Sequence, residues 1–170
     1  MSILNIPILR RIRRHHALEH ATIRVLNRRF PAAQLAGLST PNGFYIYGDV
    51  PTPEVESALR EALLRLSMGE RHLAIHPHCG TNLVTAGTLA GLLAFLSMLP
   101  GDQRARRTRL PLVLLLSTLA MLLAQPLGLV VQQHVTTEAD LGDTSVVRID
   151  RSLVRQTPVH RVQLHDGGVA

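Results

Sequence analysis

The residues best able to do chemistry are His16, Glu19 and His20, in the run His16-Ala17-Leu18-Glu19-His20. Positions four apart share one face of a helix, so His16 and His20 can aim at one metal ion. Glu19 stands beside that face, where a carboxylate can take a proton from water at the metal. This is the H-x-x-E-H order, the inverse of H-E-x-x-H. A catalytic centre with two helical histidines needs one more protein ligand and an open position. The candidates are Glu70, His76, His78 and Cys79, which all lie in the short segment 70–81.

These residues must be held by a small scaffold. The spacing of Leu18, Thr22, Val25 and Leu26 predicts a helix over Arg10 to Arg29, stopped by Pro31. Gln34 to Ser39 and Phe44 to Tyr47 read as strands around the turn Pro41-Asn42-Gly43, with Thr40 and Asn42 as turn residues and Asn42 also a candidate substrate contact. Thr52 is placed to cap an amphipathic helix over Glu54 to Ser67. Arg71 to His76 alternates like a strand. The expectation is an α+β fold: an α-β-β-α-β domain over residues 1–81, a two-helix transmembrane hairpin inserted over 82–135, and a short C-terminal β segment over 136–170. Val146 to Ile149 and Val159 to Leu164 are its strands, and they could join the first sheet or pair alone.

The chain has 170 residues, is 46% hydrophobic but 3% aromatic, and carries a net charge of +6 in which every basic residue is Arg. Without aromatic stacking platforms, and with the Arg residues scattered, nucleic acid is excluded as the expected partner; an anionic membrane surface fits better. Leu83 to Leu99 and Leu110 to Val131 contain no charged residue. A span needs about 20 apolar residues, with about 17 as the lower limit. The alternative, two core helices, would ask a small chain to bury both on all sides. Met1 to Leu9 reads as a membrane-surface segment, since the charges of Arg10, Arg11, Arg13 and Arg14 follow it, the wrong order for a secretory signal. The expected location is therefore a bacterial-type inner membrane. The loop Gly101 to Arg109, with Arg104, Arg106, Arg107 and Arg109, belongs in the cytoplasm by the charge rule, yet the domain before it would then have to cross without a signal. The metal domain is expected on the cytoplasmic side. Cys79 is the only cysteine, so no internal disulfide forms.

His16-Ala17-Leu18-Glu19-His20, then Gly43-Phe44-Tyr45, the helix at Glu54 to Ser67 and Cys79-Gly80-Thr81 follow the order found in S-ribosylhomocysteine lyase, which the chain resembles over residues 15–85. The α-β-β-α-β order is also similar to the core shared by that lyase and the pitrilysin-like peptidases. The resemblance implies His16, His20 and Cys79 as ligands of one Zn(II) or Fe(II) ion and Glu19 as general base. It also implies a possible homodimer, because the lyase builds its sites at a dimer interface. Thr40 stands where the lyase has an acid/base cysteine. In the pitrilysin version Glu70 would replace Cys79. Three functions follow: a membrane-anchored metal-dependent hydrolase acting on a peptide or amphiphilic small molecule; a metal-assisted isomerase or lyase; or a non-enzymatic metal-binding membrane protein, closed by His76 or His78 as fourth ligand.

Overall fold

The computed structural model describes residues 3–99 and 108–167. Arg104, Arg106 and Arg107 of the basic loop lie outside the described residues, as do Met1 and Ser2. The chain forms two compact units, Met1–His76 with Gln133–Ala170, and Pro77–Gln132.

The first unit is a mixed α+β layer. Helix α1 runs Pro7–Arg29. It starts three residues before the predicted Arg10, because proline fits the first helical position, where its missing N–H costs nothing. Only a short 3-10 turn, Ile3–Asn5, precedes it. Leu18 and Leu26 are fully buried, as are Ala17 and Ala21. Strands β1 (Ala36–Thr40) and β2 (Gly43–Tyr47) form the expected hairpin. Helix α2 spans Thr52–Ser67 with Pro53 in its first turn. Thr52 does not cap it: its hydroxyl pairs instead with His160 Nε2 at 3.2 Å.

The segment predicted as a fifth element is not a strand. Arg71–Ala74 is a 3-10 turn. Its neighbours Leu73 and Ala74 are both buried, which an alternating strand does not allow. The carbonyls of His72 and Ile75 accept from the Arg24 guanidinium, at 2.9 and 3.2 Å, rather than from another strand. The α-β-β-α-β order is therefore corrected to α-β-β-α. The C-terminal strands complete the sheet: β3 (Thr144–Val154) and β4 (Thr157–Asp166) give a four-stranded antiparallel sheet in the order β1-β2-β4-β3. The register sets Phe44 opposite Val162 and Ile46 opposite His160. Phe44, Ile46, Val162 and Leu164 face the core with Leu59 and Leu73, while Tyr45, Tyr47 and Arg161 occupy the other face.

The second unit is a pair of helices, α3 (Gly80–Met98) and α4 (Leu110–Val131). Asn82 Oδ1 accepts from Gln132 Nε2 at 2.7 Å, so the start of α3 meets the end of α4 and the pair is antiparallel. Ala120, Ala124 and Gly128 recur every four residues and form the buried stripe of α4. Small residues there let the backbones approach, and a Cβ at Gly128 would strike Asn82. The outward residues are large and apolar: Leu83, Phe95, Leu114, Met121, Leu122 and Leu123 are all exposed. Both helices are long and apolar enough to cross a membrane.

Candidate metal centre

Helix α1 brings the motif together. The rings of His16 and His20 lie one turn apart, centroids 4.2 Å from each other. His20 Nδ1 is 2.7 Å from the Ala74 carbonyl and His16 Nδ1 is 3.0 Å from the Thr136 carbonyl. A carbonyl only accepts, so each Nδ1 carries a proton and each Nε2 is the ring nitrogen turned away from the backbone. Metal-binding histidines are commonly fixed this way, one nitrogen donating to the backbone and the other presented to the ion. The 3-10 turn in place of the predicted strand thus has a role, because it supplies the carbonyl that orients His20. His15 faces elsewhere: it is fully buried, its ring nitrogens 2.8 Å from the Thr40 carbonyl and 3.0 Å from the Asp166 carboxylate.

Glu19 is 4% exposed. The Ser39 hydroxyl of β1 donates to its carboxylate. Burial pushes the Glu19 carboxyl up from the ordinary value, opposed by the Ser39 hydrogen bond and by the charge of His16. A carboxyl moved upward is closer to the range where it can both accept and return a proton near neutral pH. Gly37, two residues before Ser39 on β1, makes room: a Cβ there would overlap the Glu19 carboxylate. Sequence reasoning missed Ser39 and Gly37. Their signal was two small residues at i, i+2 on one strand face beside the motif helix.

His16 and His20 stand in the first unit and Cys79 in the second. Cys79 occupies the N-cap of α3, where the Thr81 N–H donates to its sulfur at 3.4 Å. A helix N-terminus favours an anionic ligand. Glu70 is taken up by Arg65, whose guanidinium donates to both carboxylate oxygens at 2.9 and 2.6 Å and draws the Glu70 carboxyl below its ordinary value. His76 stacks at a tilt, its centroid 5.6 Å from that of His20. His78 is exposed. The Thr40 hydroxyl donates to the Gly43 carbonyl at 3.1 Å, and the Asn42 carbonyl accepts from Leu164 N, so both serve the turn.

Fold and site define an α+β protein with two paired histidines and a buried glutamate on one helix, and two strongly apolar helices. The sequence profile of a family described as "Domain of unknown function (DUF6391)" matches residues 11–149, and the chain belongs to that family. The match takes in His16, Glu19, His20 and Cys79 together with both apolar helices. An uncharacterized protein of Picosynechococcus sp. (strain PCC 7002) is 42% identical over 145 residues, covering 77% of this chain and 68% of the relative. No solved structure matches the chain.

Proposed function

We propose that this chain is a membrane-anchored metal-dependent hydrolase, in which His16, His20 and Cys79 hold one Zn(II) or Fe(II) ion and Glu19 is the general base. The observation that carries this reading is the placement of the two histidines: they lie one turn apart on α1, with ring centroids 4.2 Å from each other and each Nδ1 held by a backbone carbonyl. Imidazole and thiolate together suit zinc or ferrous iron. Bound there, the ion would supply Lewis-acid polarisation of a substrate carbonyl. The protein supplies the rest. Glu19 holds and moves the proton, Ser39 fixes which way its carboxylate points, and the burial of Glu19 keeps bulk water from competing. The exposed apolar surface of α3 and α4 supports anchoring in a bilayer and a substrate that is a peptide or amphiphile near the membrane.

A second reading has its own observation. The His76 ring beside His20 favours a metal-binding protein without turnover, if His76 closes the coordination sphere as a fourth ligand. An isomerase or lyase has less support, because the hydroxyl of Thr40 is spent on the turn.

The test is elemental analysis of the full chain purified in detergent without chelators and without air, beside His20→Ala, Cys79→Ala and Glu19→Gln. About one ion per chain is expected, lost in the first two variants and kept in Glu19→Gln. A metal-free wild-type protein would overturn the reading. With metal present, cleavage of a mixed peptide library by wild type but not by Glu19→Gln identifies the hydrolase. Absence of cleavage with a four-coordinate protein-ligated ion identifies the closed site.

A further inference from the structure

The α+β unit contains a cavity of about 460 Å³ that the metal site does not use. That volume lies within the range of small-ligand clefts, about 300–1,000 Å³. Its walls include Arg13, Arg71, His72, Gln133, His134 and Glu138. Glu138 is the sole acid among the lining residues, and its carboxylate is 3.3 Å from Arg13 Nη1. Arg13 is also tied down by donating to the Thr137 carbonyl at 3.1 Å, and its Nε is buried with no hydrogen-bond partner. It is a guanidinium held in place before any ligand arrives. Glu138 offsets one positive charge, which leaves Arg71 in excess, together with two imidazoles. Among the described residues no ion pair or hydrogen bond engages the Arg71 side chain. A cleft with one guanidinium fixed and a second one uncommitted is suited to a compact anion with several acceptor oxygens.

Gln133 and His134 belong to the turn Gln132–Thr136, which directly continues α4. If α4 spans a bilayer, Gln133 and His134 follow it directly in sequence, where a chain leaving the hydrocarbon core meets lipid headgroups. We propose that the cavity binds a phosphate group, that of an anionic phospholipid headgroup, with Arg13 and Arg71 as its anion-binding residues. The lipid source rests on the membrane reading of α4; the phosphate chemistry does not, and neither depends on the metal.

The experiment uses the full chain in detergent, with Arg71→Glu, Arg71→Ala and a control, Arg155→Glu, placed in the β3–β4 turn. One arm measures phosphatidic acid against phosphatidylcholine by native mass spectrometry. The other measures the thermal shift on adding inorganic phosphate. Selective retention of phosphatidic acid is expected. Losing one charged hydrogen-bonding partner weakens binding about tenfold in Arg71→Ala, and more in Arg71→Glu. Arg155→Glu binds like wild type, and the metal content of every variant is unchanged. Stabilisation by inorganic phosphate alone, lost in Arg71→Glu, keeps the site and makes its ligand a soluble phosphate. Wild-type binding by Arg71→Glu in both arms, or equal weakening by Arg155→Glu, overturns the proposal. A chain that stays dispersed without detergent removes the membrane reading, while the phosphate arm still reads the cavity.

Discussion

Helices α1 and α4 are built on opposite plans. Helix α1 carries four Arg residues in its first two turns and nevertheless buries Arg14, His15, Glu19, His20 and Thr22. Helix α4 has no charge, buries only Ala120, Ala124 and Gly128, and turns its leucines outward. A buried polar group persists only when something satisfies it. In α1, His15, Glu19, His20 and Thr22 each have a named hydrogen-bond partner, while the Nε atoms of Arg13 and Arg14 are buried without one. An outward apolar face persists only when its surroundings are apolar. The difference teaches where each helix spends its side chains: α1 on fixed polar geometry, α4 on contact with what surrounds the protein.

The sharpest way to break that contrast is to put a charge on the outer face of α4. Leu122 is 70% exposed. In water, Leu122→Arg would change stability by no more than about 0.5 kcal/mol. At the centre of a membrane helix the same change costs about 3 kcal/mol. We expect the larger effect, seen as reduced membrane insertion in a glycosylation or fractionation assay. Normal insertion would make α4 an ordinary protein surface.

The opposite intervention tests the polar interior beside α1. Gly37→Ala drives a methyl group into the Glu19 carboxylate. An overpacked site of this kind loses about 2 kcal/mol, read as a lower midpoint of thermal unfolding in detergent. The double variant Gly37→Ala, Glu19→Ala should recover most of it, since the two residues share one contact. Ser39→Ala is milder. It removes a hydrogen bond to a buried carboxylate and should cost about 1.5 kcal/mol. If neither variant is destabilised, Glu19 is not held as described.

The same pair of residues marks how far the sequence could be read. The placement of His16, Glu19 and His20 on one helix follows from period alone, and the β1–β2 hairpin follows from Pro41-Asn42-Gly43. What Glu19 would touch does not, because Ser39 and Gly37 meet it only through packing across the chain. The C-terminal strands were visible only in part. Their two-residue turn is Arg155-Gln156, both at positive φ, without the Asn or Gly that usually announces such a turn. The stretch 71–76 alternates in hydropathy like a strand, yet the Arg24 guanidinium donates to its carbonyls and removes the need for a neighbouring strand. Side-chain donors to backbone leave no local periodic signal.

The smallest expected effect concerns a buried histidine far along the sheet from α1, and it asks whether polar burial in this unit is always so well satisfied. His160 on β4 is fully buried; its Nε2 pairs with Thr52, but its Nδ1 has no partner. Burial holds its pKa below the ordinary 6.5, helped by the charge of Arg151 and opposed by Asp49. The unfolded chain therefore binds this proton more tightly than the folded one. Its contribution to stability is full above pH 6.5 and is lost as pH falls through 6.5 towards the folded value. Unfolding midpoints of wild type should decline between about pH 7 and 5, and His160→Leu should show a shallower decline over that window. The hydrophobic replacement also removes the unpaired nitrogen, so at pH 7 it should cost little despite losing the Thr52 contact. An equal slope in both proteins would mean that the proton is taken up in the folded state as readily as in the unfolded one. His160 would then be as well satisfied as His15, Glu19, His20 and Thr22 of α1.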